Sequence, residues 1–95
     1  MQFSIPFDHP SLPGHFPGRP VVPGVIILER VLEAIEATQG ALGPLRMPQV
    51  KFTQPLLPGE IADIAITGTV PRWRFRVSRG ETVIASGEVA LKGDG

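Results

Sequence analysis

Pro23-Gly-Val-Ile-Ile-Leu-Glu-Arg-Val-Leu-Glu-Ala-Ile-Glu-Ala-Thr-Gln-Gly40 is the stretch on which the fold turns. Proline suits the first position of a helix, where its missing N–H would have no partner in any case. Val25 to Thr38 then reads as one helix. Its first turn is apolar on every side, which predicts a buried helix rather than a surface one. Glu29, Glu33 and Glu36 follow at spacings of four and three and share one face. Gly40 is placed to cap the C-terminus.

Beyond Gly43-Pro44 the period shortens from helical to alternating. Pro48 to Gln54, Glu60 to Val70, Arg72 to Arg79 and Thr82 to Lys92 read as four strands. Pro58-Gly59, Pro71 and Gly80-Glu81 supply the turns between them. Trp73, Phe75 and Val77 alternate with Arg72, Arg74 and Arg76, giving a core face and a basic face. Val83, Ala85, Gly87, Val89 and Leu91 make a second apolar face. Residues 2–5 form a short edge strand, and Asp94 and Gly95 fray. A buried helix followed by antiparallel strands predicts an α+β domain whose sheet wraps the helix.

On the N-terminal side, five prolines recur from Pro6 to Pro20. Regular helix is excluded from Pro6 to Val22, and so long a loop in so small a domain is usually functional. The 95 residues make one domain, residues 1–95, with a thin core. Yet 42% are hydrophobic, which favours apolar surface buried against a partner chain over a hydrophobic monomer. Zero net charge gives no sign of nucleic acid or an anionic membrane as partner. With no cysteine, disulfide and thiolate chemistry are excluded. Met-Gln-Phe-Ser-Ile-Pro lacks the pattern of a signal peptide. The longest apolar stretch, Val21 to Leu28, is too short to span a membrane and is broken by Pro23 and Gly24. A cytoplasmic enzyme or binding protein is the expectation.

His9-Pro-Ser-Leu-Pro-Gly-His-Phe-Pro-Gly-Arg-Pro-Val-Val-Pro-Gly-Val-Ile-Ile-Leu-Glu29 resembles the signature of the FabZ/FabA-type 3-hydroxyacyl-acyl-carrier-protein dehydratases. That signature is Gly-His-Phe-Pro-Gly-x-Pro-x-x-Pro-Gly, an apolar stretch, then an acid fourteen positions after the histidine, the separation of His15 and Glu29. Lys51-Phe-Thr-Gln-Pro-Leu-Leu-Pro-Gly-Glu60 resembles the family's second block, and the likeness runs over roughly residues 8–92. It implies a hot-dog fold, an antiparallel sheet curled around one central helix. It also implies a dimer with the active site at the subunit interface, the histidine of one protomer facing the acid of the other. Two departures stand out: the chain is shorter than the housekeeping enzymes, and Glu33 replaces the usual glutamine four residues after the acid. Asp8-His9-Pro10 ahead of the Gly-His-Phe-Pro-Gly motif is more similar to the short ApeI-like dehydratases of aryl-polyene pathways.

The resemblance assigns roles that the residue chemistry supports. His15 is the candidate base, its imidazole suited to proton transfer near neutrality and its loop stiffened by Pro13, Gly14, Pro17 and Gly18. The plainer reading is a histidine bonded to a loop carbonyl. Glu29 is the candidate acid, directly or through a water, and burial in an apolar helix would favour its protonated form. Alternatively it belongs to a solvated stripe with Glu33 and Glu36, or pairs with Arg30. Gly24 is the candidate donor to the thioester oxygen, since amides in a helix's first turn lack partners and sit at the positive end of its dipole. Otherwise it is a plain helix-start glycine.

Arg72, Arg74 and Arg76 are either a solvated edge or a contact for an acidic carrier protein or a pantetheine phosphate. Trp73 and Phe75 read as core, although core and substrate tunnel coincide in such folds. His9 reads as structural, and two histidines without cysteine predict no metal. No cofactor is implied. The expected reaction is dehydration of a 3-hydroxyacyl thioester, on acyl carrier protein or coenzyme A, to the trans-2-enoyl form by a homodimer. The alternatives are a non-catalytic partner subunit of a heterodimeric dehydratase and a hot-dog acyl thioesterase.

Overall fold

The computed structural model describes residues 1–6, 8, 21–40 and 43–92. Among these described residues one helix, α1 (Gly24–Gln39), is set among five strands: β1 (Gln2–Phe3), β2 (Leu45–Phe52), β3 (Ala62–Thr69), β4 (Arg72–Arg79) and β5 (Thr82–Leu91). The strands form one antiparallel sheet in the order β1-β3-β4-β5-β2. The domain is therefore α+β, as the switch from helical to alternating period predicts. The expected loop from Pro6 to Val22 falls largely outside the described residues, as do His9, His15, Asp94 and Gly95.

Helix α1 lies on one face of the sheet because its apolar residues recur at helical spacing. Ile26, Ile27, Val31, Ala34 and Ile35 are buried and share a core with Ile64, Trp73, Phe75, Val77, Ile84, Ala85 and Val89. Burying each valine or isoleucine among them contributes about 1.5–3 kcal/mol. Pro23 sits just outside the helix as its N-cap. Gly40 ends it with φ +83°, and its N–H donates to the Glu36 carbonyl at 2.8 Å. Only glycine adopts that positive φ cheaply together with an extended ψ of −172°. The first turn departs from expectation: Val25 is 61% exposed, because the sheet covers the helix from one side only.

Two bulges explain where the strands differ from simple alternation. In β2, Arg46 pairs with Ala90 and Gln49 with Glu88, so β2 carries one residue more than β5 around Met47-Pro48. Pro48 has no N–H for a regular ladder, and β2 is an edge of this sheet, where proline is tolerated. The strand therefore begins at Leu45 and runs through the proline. In β5, Val77 pairs with Ala85 and Ser78 with Val83, which leaves Ile84 as the extra residue. Ile84 and Ala85 are consequently both fully buried, and Val83 leaves the core face.

Trp73, Phe75 and Val77 fill the centre of the core, as their alternation predicts. The Trp73 indole N–H is buried without a hydrogen-bond partner. Gly87 is required by packing. A Cβ there would strike the Gln49 carbonyl oxygen and lie 3.0 Å from both the Val50 Cα and the Phe75 ring.

Candidate functional site

The start of α1 and the loop after β2 are held against each other. The Val22 N–H donates to the Leu56 carbonyl at 2.8 Å. Thr53 and Gln54 both donate their N–H groups to the Ile84 carbonyl, at 2.9 and 3.4 Å, and Thr53 Oγ1 donates to the Val83 carbonyl at 2.7 Å. Between these segments lies an open pocket of about 440 Å³, lined by Val21, Val22, Gly24, Ile27, Phe52, Thr53, Gln54, Pro55 and Leu56. Its lining is mainly apolar with a few polar groups, the usual make-up of a small-molecule site.

Gly24 opens the helix at the floor of this pocket. Among the described residues no side chain caps this end, and the first turn holds no acidic residue. The positive end of the helix dipole is thus left uncompensated by side-chain charge. A glycine at this position leaves space beside the helix-start amide. In the structure the tip of the Phe52 ring occupies that space: a Cβ on Gly24 would lie 2.7 Å from Phe52 Cζ. Phe52 was not singled out beforehand, although strand alternation already puts it on the same side as Val50, facing the helix.

Glu29 lies a turn and a half further on, about 7.5 Å along the axis from Gly24. Helical side chains lean toward the N-terminus, so Glu29 leans back over Val25. The expectation of a buried carboxyl is not met within one chain: Glu29 is exposed, with Glu33 and Glu36. The same amphipathic pattern that buries the opposite face turns all three acids outward. Pairing with Arg30 is not its role either, because Arg30 Nη1 reaches Glu33 Oε2 at 3.3 Å. The structure brings Gly24 and Glu29 to one end of one helix, and His15 lies outside the described residues.

Glu60, the acid of the second block, braces the loop beside the pocket. Its Oε1 accepts from the Leu57 N–H at 2.8 Å and from Arg79 Nη1 at 3.0 Å. Arg79 Nη1 also donates to the Pro55 carbonyl at 2.9 Å. Arg79 therefore serves the loop rather than the neighbouring basic stripe. The Pro-Gly-acid pattern was the signal for this brace, and its partner lay too far along the chain to be paired from spacing.

The stripe itself lies on the sheet face turned away from the helix. Arg72, Arg74 and Arg76 are exposed, and the register sets Arg46 and Lys51 on the same face beyond β5. Glu88 partly offsets them, its carboxylate lying 3.2 Å from Arg74 Nη2 and 3.6 Å from Arg72 Nη1. A shallow hollow of about 550 Å³ is lined there by Gln49, Lys51, Thr67, Arg74, Arg76, Ser86 and their neighbours. Three of the nine acids, Glu29, Glu33 and Glu36, are thus on the exposed helix face, and five of the nine bases, Arg46, Lys51, Arg72, Arg74 and Arg76, are on the outer sheet face. Among the described residues there is no cluster of potential metal ligands, and no helix is long and apolar enough to cross a membrane.

The family model for the ApeI-like proteins, described as ApeI dehydratase, matches residues 1–88. The chain belongs to the ApeI-like dehydratase family. Among curated relatives, the 3-hydroxyacyl-[acyl-carrier-protein] dehydratase FabZ of Magnetococcus marinus is 32% identical over 96% of this chain. That of Thermus thermophilus is 39% identical over 90%. The ApeI-like chain spans only part of their length, 65% of the first and 52% of the second. A solved structure, the dehydratase heterocomplex ApeI:P from Xenorhabdus doucetiae, superposes with a TM-score of 0.79 at 22% identity. It covers 94% of this chain and 81% of that one, and this likeness shows the hot-dog fold.

Proposed function

We propose that this ApeI-like protein dehydrates a 3-hydroxyacyl thioester to the trans-2-enoyl thioester, as a dimer. The observation that carries the reading is the pocket at the start of α1, which Gly24 lines, on a helix that carries Glu29 and follows a Gly-His-Phe-Pro-Gly segment in sequence. His15 takes the α-proton from C2. The electrons move into the thioester carbonyl, whose oxygen is held by the Gly24 N–H. As they return, the C3–O bond breaks, the leaving hydroxyl takes a proton from Glu29, directly or through a water, and the products are enoyl thioester and water. General acid–base catalysis supplies about 10²–10⁴-fold of such an acceleration, and the helix-start amide lowers the cost of the enolate-like charge.

A second chain supplies what one chain lacks. Val25 and Glu29 are exposed, and a partner closing over them would shut water out around the acid. The position of β2 at the edge of the sheet among the described residues and the exposed Leu57 and Ile61 support association. The FabZ relatives are named for carrier-protein substrates, which supports an acyl carrier protein or a coenzyme A thioester as the donor. Arg72, Arg74 and Arg76 are offered to its phosphate or acidic surface. Family membership supports a place in fatty-acid or aryl-polyene synthesis in the cytoplasm.

The heterocomplex formed by the Xenorhabdus relative favours one second reading, that this chain completes its site with a different partner. The test is one assay. Purified protein is incubated with 3-hydroxyacyl thioesters, and mass spectrometry follows loss of water. Wild type should dehydrate them and His15→Ala should lose at least about a hundredfold in rate while keeping its oligomeric state. Full activity of His15→Ala sinks the mechanism. Inactivity of the homodimer with activity on adding a related chain establishes the second reading, and release of free thiol instead of water establishes thioesterase chemistry.

A further inference from the structure

We propose that Phe52 is a specificity-determining residue, its ring forming the wall that limits how much acyl chain enters the pocket beside Gly24. The inference rests on the acyl-thioester reading above and adds a residue to it. Phe52 ends β2 opposite Ala85, on the sheet face that carries the core, yet it is 49% exposed. An aromatic ring on that face would ordinarily be enclosed, since full burial of a phenylalanine is among the larger apolar gains. Here the backbone is anchored on its C-terminal side by Thr53 and Gln54 on Ile84 and by the Thr53 hydroxyl on Val83. The ring, with a small alanine opposite and solvent beyond, is not enclosed.

What the ring touches gives the position its meaning. Its tip meets the Gly24 backbone, with Cζ, Cε1 and Cε2 at 2.7, 3.1 and 3.1 Å from where a Cβ would stand. A thioester carbonyl approaching the helix-start amide must pass the ring or displace it, and the attached chain must run along it through the pocket shared with Ile27 and Leu56. Glycine at position 24 is what lets the ring close this far. Removing the ring opens the pocket and leaves the amide and Glu29 in place, so it changes which chains fit.

The test measures binding, which separates it from the fate of the dehydratase reading. Non-hydrolysable thioether analogues of butanoyl- and dodecanoyl-pantetheine are titrated calorimetrically into wild type, Phe52→Ala and Phe52→Leu. In Phe52→Ala the ratio of affinities should move about tenfold toward the long chain, which is what two further buried methylenes contribute. Phe52→Leu should fall between. Ratios within about twofold of wild type in both variants overturn the proposal, as does a wild type that binds neither analogue. A wild type that binds both but turns over no hydroxyacyl thioester sinks the dehydratase reading and leaves Phe52 in its role. As an independent check, Gly24→Ala should lower the melting temperature in wild type and much less in the Phe52→Ala background. Equal losses in the two backgrounds also overturn the proposal.

Discussion

Replacing Gly87 with alanine should destabilise the domain, although alanine is ordinarily the better residue within a strand by about 0.5–1 kcal/mol. The added methyl has nowhere to go. It would collide with the Gln49 carbonyl and crowd the Val50 Cα and the Phe75 ring. Two of those three neighbours are backbone of β2, so relief requires the β2–β5 pair to open at Val50↔Gly87 rather than one side chain to turn. Overpacking costs about 1–3 kcal/mol, and an obstacle made of backbone belongs at the upper end. Subtracting the intrinsic preference leaves a net loss of about 2 kcal/mol. For a domain of this size that lowers the melting temperature by about 8–16 °C.

The assay is thermal or urea unfolding of Gly87→Ala and wild type at one protein concentration, because association makes the midpoint depend on concentration. Gly40→Ala is the matched control. Nothing lies within 4 Å of its added methyl, so only the backbone is strained: φ 83° with ψ −172° is a region essentially confined to glycine, and the loss should be about 1–3 kcal/mol. A Gly87→Ala protein as stable as wild type, or more so, refutes the argument that the β2 backbone sets this limit.

Further outcomes follow from the loop brace and the outer sheet. Glu60→Ala removes the acceptor shared by Leu57 and Arg79 and should cost about 1–2 kcal/mol, with faster hydrogen exchange at the Leu57 amide. Glu60→Gln, which keeps an acceptor, should lose less than half as much, and equal losses would refute the brace. Arg74→Glu with Arg76→Glu should weaken binding of an acidic carrier protein by about tenfold at low ionic strength and flatten its salt dependence, read by titration at two salt concentrations. An unchanged affinity in both buffers removes the outer sheet face from carrier recognition.

The parts of the fold legible in the sequence are those governed by periodicity. The helix ends at Gly40, and β4 runs from Arg72 to Arg79 as its alternation dictates, because helical and extended chains each leave a repeating trace. The bulges left none. Ile84 enters the core because β5 carries one residue more than β4 can pair, which depends on the partner strand. The site divides in the same way. The Gly-His-Phe-Pro-Gly motif and the spacing of His15 and Glu29 are local patterns, and they pointed to the family. The outward turn of Glu29 follows the amphipathic pattern of α1, whereas the Phe52 ring on Gly24 and the reach of Arg79 to Glu60 are meetings between distant segments, which a single chain's pattern does not encode.

The grouping of three glutamates along α1 and of five bases on the outer sheet face has a consequence for handling the protein. Its formal charge sums to zero, so it should migrate feebly in an electric field near neutrality. Chromatography senses faces rather than sums. A cationic resin can engage the glutamates of α1, and an anionic resin the arginines and Lys51, so one preparation should be retained by both columns at low salt, in two opposite orientations.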